Sequence, residues 1–560
     1  MILNMVKKML GGVRIFHALT MCAALALMVV GAWLFMHRHD GALKHGIITA
    51  IQQRDTFAHI NYKQLQAFYN ARGQGAVWVG SGGPNGKAHE LREILNHADH
   101  DALLPSDYHV DEIANYWERT QLPDLVRLEV LLTDAFMRYS VEVKAGYQFP
   151  KIIDPDWHID PERVDPVAVL AQTLAKANFT KSLSEFAPPH SAYRNLRASL
   201  QYYRDMARDG EWPKVKVEKD IRPDAPYADS EKLRVRLQRE GYLKANIAAI
   251  KPGVYNATLA EAIINFQARH GLPATGILDR STARALNKPI AERIAEIEKN
   301  MERWRWLPRQ LPERYIAVNI ADYKLNMYEK GKNVLDMKVI IGKKYRATPV
   351  IASNIEYVDL NPTWNVPQRI AREDMLPKQR GDQEFFARKG IRVWSRHGKQ
   401  MVRIDPAKVR WDDIKADRFP FFLQQEAGDS NSLGRIKFGL NNAFDIYLHD
   451  TPQRELFRNP VRAFSSGCIR VEHPEKLAAK VLEGSRWTPE RITSALEKDN
   501  TFRIPVTQRL PVYILYQTAW SGDGRMAEFR DDVYVRDGAM PDNLMLSSVV
   551  KPHKFTTAGI

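Results

Sequence analysis

Asp445-Ile446-Tyr447-Leu448-His449-Asp450-Thr451-Pro452, followed after a loop by Arg462-Ala463-Phe464-Ser465-Ser466-Gly467-Cys468-Ile469-Arg470-Val471, is the stretch on which the reading of this chain turns. Apolar residues alternate ahead of His449, so His449 ends a strand, and Cys468 follows 19 residues later. A free thiol is only a few per cent ionised at neutral pH, so a cysteine nucleophile needs a base. A loop of this length can fold His449 back within hydrogen-bond reach of Cys468. Ser466, Gly467 and Cys468 offer consecutive backbone N–H groups, and Gly467 permits the turn that aims them at an oxyanion. Arg470 is suited to supporting a thiolate or binding a substrate carboxylate. A buried structural cysteine is the competing reading, since cysteine is among the most buried residue types. The Ser-Ser-Gly context and the absence of a disulfide partner favour the nucleophile.

That absence follows from the rest of the chain. Its 560 residues hold two cysteines, Cys22 and Cys468. Lys7, Lys8 and Arg14 precede a stretch from Ala18 to Met36 in which Cys22 is the only ionisable side chain, and His37, Arg38, His39 and Asp40 close it. Nineteen residues of helix span about 28 Å, close to the roughly 30 Å hydrocarbon core. Trp33-Leu34-Phe35-Met36 makes a poor cleavage site, although a long cleaved signal is the alternative. The basic flank keeps the N-terminus in the cytoplasm. The expectation is a cytoplasmic tail over 1–17, a single-pass inner-membrane anchor over 18–36, and everything beyond it in the periplasm.

Composition narrows the classes further. Two cysteines exclude a disulfide scaffold and Cys-rich zinc or iron–sulfur modules. With 44% hydrophobic and 26% charged residues the chain is globular. Lys and Arg number 81 against 66 Asp and Glu, a formal charge of +15. Outside the cytoplasm that charge points to an anionic wall polymer or membrane surface rather than to nucleic acid.

Periodicity predicts a multidomain α+β chain. Residues 37–225 read as a helical scaffold, as over Leu125–Tyr139. Residues 226–290 form a three-helix unit. Leu233 and Leu237 lie on its first helix, and a capping box of Thr258 and Glu261 opens its second, which ends at Gly271. After a helical connector over Ala291–Trp306, strands are expected at 315–320, 324–328, 334–341, 355–360, 435–438 and 445–449. Two more, 512–520 and 528–535, flank Ser521-Gly522-Asp523-Gly524. Residues 291–538 thus form a mainly β domain, with 539–560 as a tail. Its insertion at 368–430, with Phe385, Phe386, Trp394 and Trp411, reads as a lid. Gly80–Ala88 fails as a phosphate loop at both ends. His37, His39 and His45 lack a ligand set, and Asp412, Asp413, Glu373 and Asp374 read as surface charges.

The His449–Cys468 segment resembles the signature of L,D-transpeptidases of the YkuD type: a His, a spacer, then Ser/Thr-His/Ser-Gly-Cys, a hydrophobic residue and Arg or Asn. Asn300–Pro308, Asn361–Pro367, Leu433–Phe438 and Phe529–Tyr534 resemble the large YcbB-like subgroup. Ala262–Leu272, with Thr275-Gly276 and Leu286-Asn287, is similar to a peptidoglycan-binding module. Two positions depart from the commonest motif: Ser466 replaces a His, and Asp450 stands where many members have Gly. The resemblance implies Cys468 as nucleophile and His449 as base. It further implies the Asp450 backbone carbonyl as orienting group, Ser466 and Gly467 at the oxyanion hole, and Arg470, Tyr447, Trp364 and Asn365 as substrate contacts. The implied reaction is 3→3 cross-linking of peptidoglycan stem peptides with release of D-Ala, needing no metal or other cofactor. Cell-wall synthases are the implied partners. A catalytically vestigial wall-binding scaffold, an L,D-carboxypeptidase and a general Cys–His peptidase stay open as alternatives.

Overall fold

The computed structural model describes residues 24, 27–30, 38–54, 59–73, 75–244, 252–498 and 500–540. Most of the expected 18–36 anchor and most of the 539–560 tail lie outside the described residues. Among the described residues, no helix is long and apolar enough to cross a membrane. The described chain forms two compact units. One runs up to Tyr147 and includes Glu162–Pro189; the other joins Gln148–Pro161 to the residues from His190 onward.

The first unit is helical around Leu122–Ala145, a 24-residue helix buried along most of its length, with Glu129, Thr133, Asp134 and Ser140 among its buried side chains. Two of its carboxylates, Glu129 and Asp134, are buried. Glu129 accepts the N–H groups of Val77 (2.6 Å), Trp78 (2.8 Å) and Val79 (3.2 Å) and the Tyr69 hydroxyl (2.7 Å). These bonds fasten the strands Val79–Gly80 and Gly83–Pro84 to the helix, and so they answer the desolvation of a buried charge.

In the second unit, helix Ser191–Arg208 buries Tyr193, Leu196, Leu200 and Tyr203. It packs on Ile290–Arg305 through Arg204–Glu298 (2.9 Å) and Arg305 to the Tyr193 hydroxyl (3.0 Å). The scaffold expected to run to residue 225 therefore divides, because this helix finds the partner for its aromatic face in the connector helix. The three-helix unit comprises Ser230–Arg239, Ala257–Arg269 and Arg280–Leu286. Its second helix is capped by Asn256, whose side chain accepts from the Leu259 N–H at 3.0 Å, and not by Thr258. Asn256 is extended and Thr258 already helical, so only the former can serve as N-cap.

The mainly β domain is a sheet that closes on itself. From Lys332–Gly342 the order runs Ile469–Val471, Leu448–His449, Ile436–Leu440, Ile351–Leu360, Phe502–Leu515, Arg314–Asn319 and Lys324–Glu329, which pairs again with Lys332–Gly342. Its core holds fully buried Ile, Val and Leu side chains, each worth about 1.5–3 kcal/mol of transfer free energy. Two expected strands are shorter than their sequence pattern. Asp445 is left-handed and the Asn442 side chain takes the N–H groups of Phe444 (3.0 Å) and Ile446 (3.1 Å), so only Leu448–His449 pairs. Past Phe529, Asp532 accepts from the Tyr516 hydroxyl and from the N–H groups of Arg536 and Asp537, which bends the chain out of the sheet. The insertion has its own four-stranded sheet and its own core around Phe386, Trp411 and Phe421. It starts earlier than residue 368, because Trp364–Asn365 is that sheet's fourth strand, paired with Gln424 and Gln425.

Candidate active site

Leu448–His449 and Ile469–Val471 are parallel neighbours with His449 level with Arg470 and Leu448 level with Ile469. Leu448 and Ile469 enter the core, so alternation puts His449 and Arg470 on the other face, while Tyr447 and Cys468 stand just ahead of the two strands with the thiol packed partly against the core. On that face Lys437 stands opposite His449, Asp359 opposite Lys437, and Arg503 opposite Asp359. Strand order thus assembles a row of polar side chains from four distant parts of the chain.

The His449 imidazole is buried, and its Nδ1 lies 2.5 Å from the Asp450 carbonyl oxygen. A carbonyl can only accept, so Nδ1 carries the proton and Nε2 is left as the basic nitrogen. Burial, and then the Arg470 guanidinium, push its pKa down to about 3. The Asp450 side chain anchors the carbonyl. Its carboxylate accepts the N–H groups of Arg435 (2.8 Å) and Thr451 (2.6 Å) and pairs with Arg454 (2.8 Å). Gly434 leaves the space for it: a Cβ there would lie 2.3 Å from the carboxyl carbon. The departure at position 450 therefore comes with its own accommodation.

Cys468 Sγ does not hydrogen-bond His449. It faces the Asp445 carbonyl at 3.6 Å and the Tyr447 hydroxyl and N–H. Burial pushes the thiol pKa up, against the opposing pull of Tyr447 and the Lys437 ammonium. Thiol and imidazole are thus both neutral, with no preformed thiolate–imidazolium pair. The turn before Cys468 is tightly specified. Gly467 has φ +118° and its carbonyl accepts the Thr348 hydroxyl at 2.8 Å. Its N–H donates to Ser465 Oγ at 3.2 Å, and Ser465 Oγ donates to the Cys468 carbonyl at 2.5 Å. Of the three oxyanion donors expected, Gly467 is therefore internally engaged, which leaves the N–H groups of Ser466 and Cys468.

A cavity of about 600 Å³ opens beside the thiol, sharing Tyr447 and Asp445 with it. Trp364 and Asn365 line it from the insertion, with the Trp364 indole nitrogen buried and unpartnered among the described residues. Asn365 accepts from Gln424 at 2.9 Å. Arg470 donates to Gln453 at 2.8 Å, and its Nε is buried with no partner among the described residues. Burial lowers its pKa.

Sequence reasoning missed Lys437, Arg346 and Ser465. Lys437 and Arg346 come to the site through long-range strand order, for which local sequence holds no signal. Ser465 could have been found, since it stands in the motif itself. Glu373 and Asp374 are not idle surface charges. They clamp the buried Arg346 guanidinium (2.6 Å to Glu373), which also donates to Ser466 Oγ at 2.8 Å. The insertion is thereby tied to the turn that carries the nucleophile.

Three family descriptions match the chain: a scaffold domain over residues 63–200, a "putative peptidoglycan binding domain" over 227–286, and an L,D-transpeptidase catalytic domain of the YkuD type over 313–493. A protein of Haemophilus influenzae named "Putative L,D-transpeptidase" is 39% identical over 216 residues, which is 39% of this chain and 43% of that one. The chain thus matches less than half the length of that relative. Among solved structures, a mutant L,D-transpeptidase from Enterococcus faecium is 10% identical, covering 37% of this chain and 50% of its own, with a TM-score of 0.17. One from Stackebrandtia nassauensis is 14% identical, covering 54% and 96%, with a TM-score of 0.20. Those scores are too low to bear on the fold. The family matches, together with a thiol that leads into the strand beside the one ending in the imidazole, identify this chain as one that carries a YkuD L,D-transpeptidase catalytic domain and a peptidoglycan-binding domain.

Proposed function

We propose that this protein is a YcbB-like L,D-transpeptidase that forms 3→3 diaminopimelate cross-links. The proposal includes an inner-membrane anchor at 18–36, a periplasmic catalytic portion and cell-wall synthases as partners. The observation that carries the reading is the placement of Cys468 directly ahead of the strand that runs parallel to the one ending in His449, beside a cavity large enough for a stem peptide.

Because both groups are neutral, His449 works as a general base during attack. The thiol leaves the Asp445 carbonyl for imidazole Nε2 and gives up its proton as Sγ bonds to the carbonyl carbon between diaminopimelate and D-Ala. The N–H groups of Ser466 and Cys468 receive the developing oxyanion; one such donor is commonly worth about 3–4 kcal/mol. The C–N bond then breaks, the imidazolium returns its proton to the departing D-Ala amine, and a thioester remains. An acceptor stem's side-chain amine attacks the thioester and loses a proton to His449. The new amide is released and the thiol restored.

The test uses the full-length chain in mild detergent with purified tetrapeptide muropeptides, followed by mass spectrometry beside Cys468→Ala. Loss of D-Ala with a cross-linked dimer, both absent in the variant, is the expected result. D-Ala loss with a tripeptide alone would mark an L,D-carboxypeptidase. No Cys468-dependent product, with sacculus binding intact, would leave a wall-binding scaffold.

A further inference from the structure

The cavity beside Cys468 contains two cations of unlike standing. Arg503 is neutralised by both oxygens of Asp359, at 2.8 and 2.9 Å, and its guanidinium lies 3.9 Å from the Tyr357 ring centre. Lys437 has no such partner. Among the described residues no carboxylate lies within the 4.0 Å of an ion pair, and the Asp359 oxygens beside it are taken by Arg503. Its ammonium instead stands 4.4 Å from the Tyr447 ring centre and 5.8 Å from that of Tyr357.

This arrangement is built into the sheet. Lys437 is held between Asp359 and His449 by register on both sides. Two residues along the same face, Gly439 lets the Tyr357 ring lie directly on the backbone; a Cβ there would meet the ring at 2.2 Å. An aromatic flank supports a cation but does not neutralise it, and a half-buried ammonium without a counter-ion is poised for an anion supplied from outside. Its field also reaches the Cys468 sulfur.

We infer that Lys437 is the subsite for a free carboxylate of the donor stem peptide, one that does not take part in the reaction. The inference rests on the transpeptidase reading above and adds a specificity to it. The carboxylate forms a charge-assisted hydrogen bond with the ammonium, holding the scissile carbonyl near Sγ, and an amidated stem forfeits that contact.

The experiment measures D-Ala release by the full-length chain from synthetic tetrapeptide donors, one with all carboxylates free and others with each non-scissile carboxylate amidated in turn. Wild type is compared with Lys437→Gln and Lys437→Arg, with melting temperatures taken for each. For wild type, amidation of one particular carboxylate is expected to raise KM about tenfold or more, with kcat little changed. Lys437→Gln is expected to show that same high KM with the free donor and no further penalty on amidation, and Lys437→Arg to recover part of the discrimination. Wild type indifferent to every amidation overturns the inference, even if the variants fail to fold. So does Lys437→Gln that keeps full discrimination while the pH profile of Cys468 alkylation by iodoacetamide shifts upward, since Lys437 would then act on the thiol alone. No D-Ala release by wild type from any donor would instead overturn the transpeptidase reading, and this inference with it.

Discussion

Two buried imidazoles in this protein are prepared in the same way and put to different ends. His449 sets its Nδ1 on the Asp450 carbonyl at 2.5 Å, and His270 sets its Nδ1 on the Phe266 carbonyl at 2.8 Å. Burial lowers the pKa of both. His270, however, is stacked on Phe266 at 3.8 Å and faces Phe529 at 5.6 Å, with its Nε2 buried and unpartnered among the described residues. His449 ends the strand that runs beside the one Cys468 leads into. Neutrality and orientation are therefore properties that burial beside a carbonyl confers on any histidine; a neighbouring thiol and a cavity are what make one of them a base.

The largest expected effect separates the pair outright. His449→Gln should lower D-Ala release by about 100- to 10,000-fold, the usual reach of a general base, with the chain still folded. His270→Leu removes a buried unpartnered nitrogen from an aromatic stack, so activity should stay within about two-fold of wild type. Steady-state kinetics on both variants checks this, and an active His449→Gln would end the general-base assignment.

A second effect is shared by both histidines. Each has a native pKa below the ordinary 6.5, about 3 for His449, so the unfolded chain takes up a proton before the native one does. The stability they contribute is fully present above pH 6.5 and is lost as pH falls from there toward 3. Melting temperature should fall over that window, and the fall should be shallower in His449→Gln and in His270→Leu than in wild type. Parallel curves would show that neither imidazole is held neutral. Iodoacetamide should meanwhile titrate Cys468 above the ordinary thiol range, since burial raises its pKa and no imidazolium stabilises the thiolate.

How much of this could be read beforehand depends on the range of the contact that sets it. The strands Arg314–Asn319 and Lys324–Glu329 alternate because one face is core, and the helices at 230–239, 257–269 and 280–286 show their apolar stripes locally. The His449–Cys468 segment was legible because a spacer, a glycine and a lone thiol sit within 20 residues of sequence. Asp445 left its strand through a side chain three residues upstream, which alternation does not weigh. Lys437 and Arg346 acquire their surroundings only from sheet order and from the insertion. The contacts of the thiol with Tyr447 and the Asp445 carbonyl are likewise tertiary and have no local signal.

A matched pair of glycines sharpens the comparison further. Gly434 has φ +61°, and a Cβ would lie 2.3 Å from the Asp450 carboxyl carbon; Gly271 has φ +65°, and a Cβ would lie 2.4 Å from Arg530 Cδ. Alanine at either position should cost about 1–3 kcal/mol for the left-handed backbone. Gly434→Ala also displaces the group that fixes the Asp450 carbonyl, so activity per folded molecule should fall with stability. At Gly271 the obstacle is the buried Arg530 side chain, held by Asp322 beside His270, so Gly271→Ala should lose stability while keeping its activity. Equal activities in the two variants would break the link between the Asp450 anchor and the base.

The smallest effect tests what holds that anchor. Asp450 has three ligands, two of them backbone N–H groups and the third Arg454, which is 45% exposed. The imidazole is aimed by the Asp450 backbone carbonyl, as His270 is aimed by that of Phe266, and the Arg454 charge reaches it only through the carboxylate. A half-exposed ion pair is worth about 0–1 kcal/mol. Arg454→Gln should therefore leave kcat within about two-fold and lower the melting temperature only slightly, because the two N–H groups still hold the carboxylate. A loss as large as that of His449→Gln would mean that charge, and not the backbone carbonyl, sets the base, and the likeness between the two histidines would end at their burial.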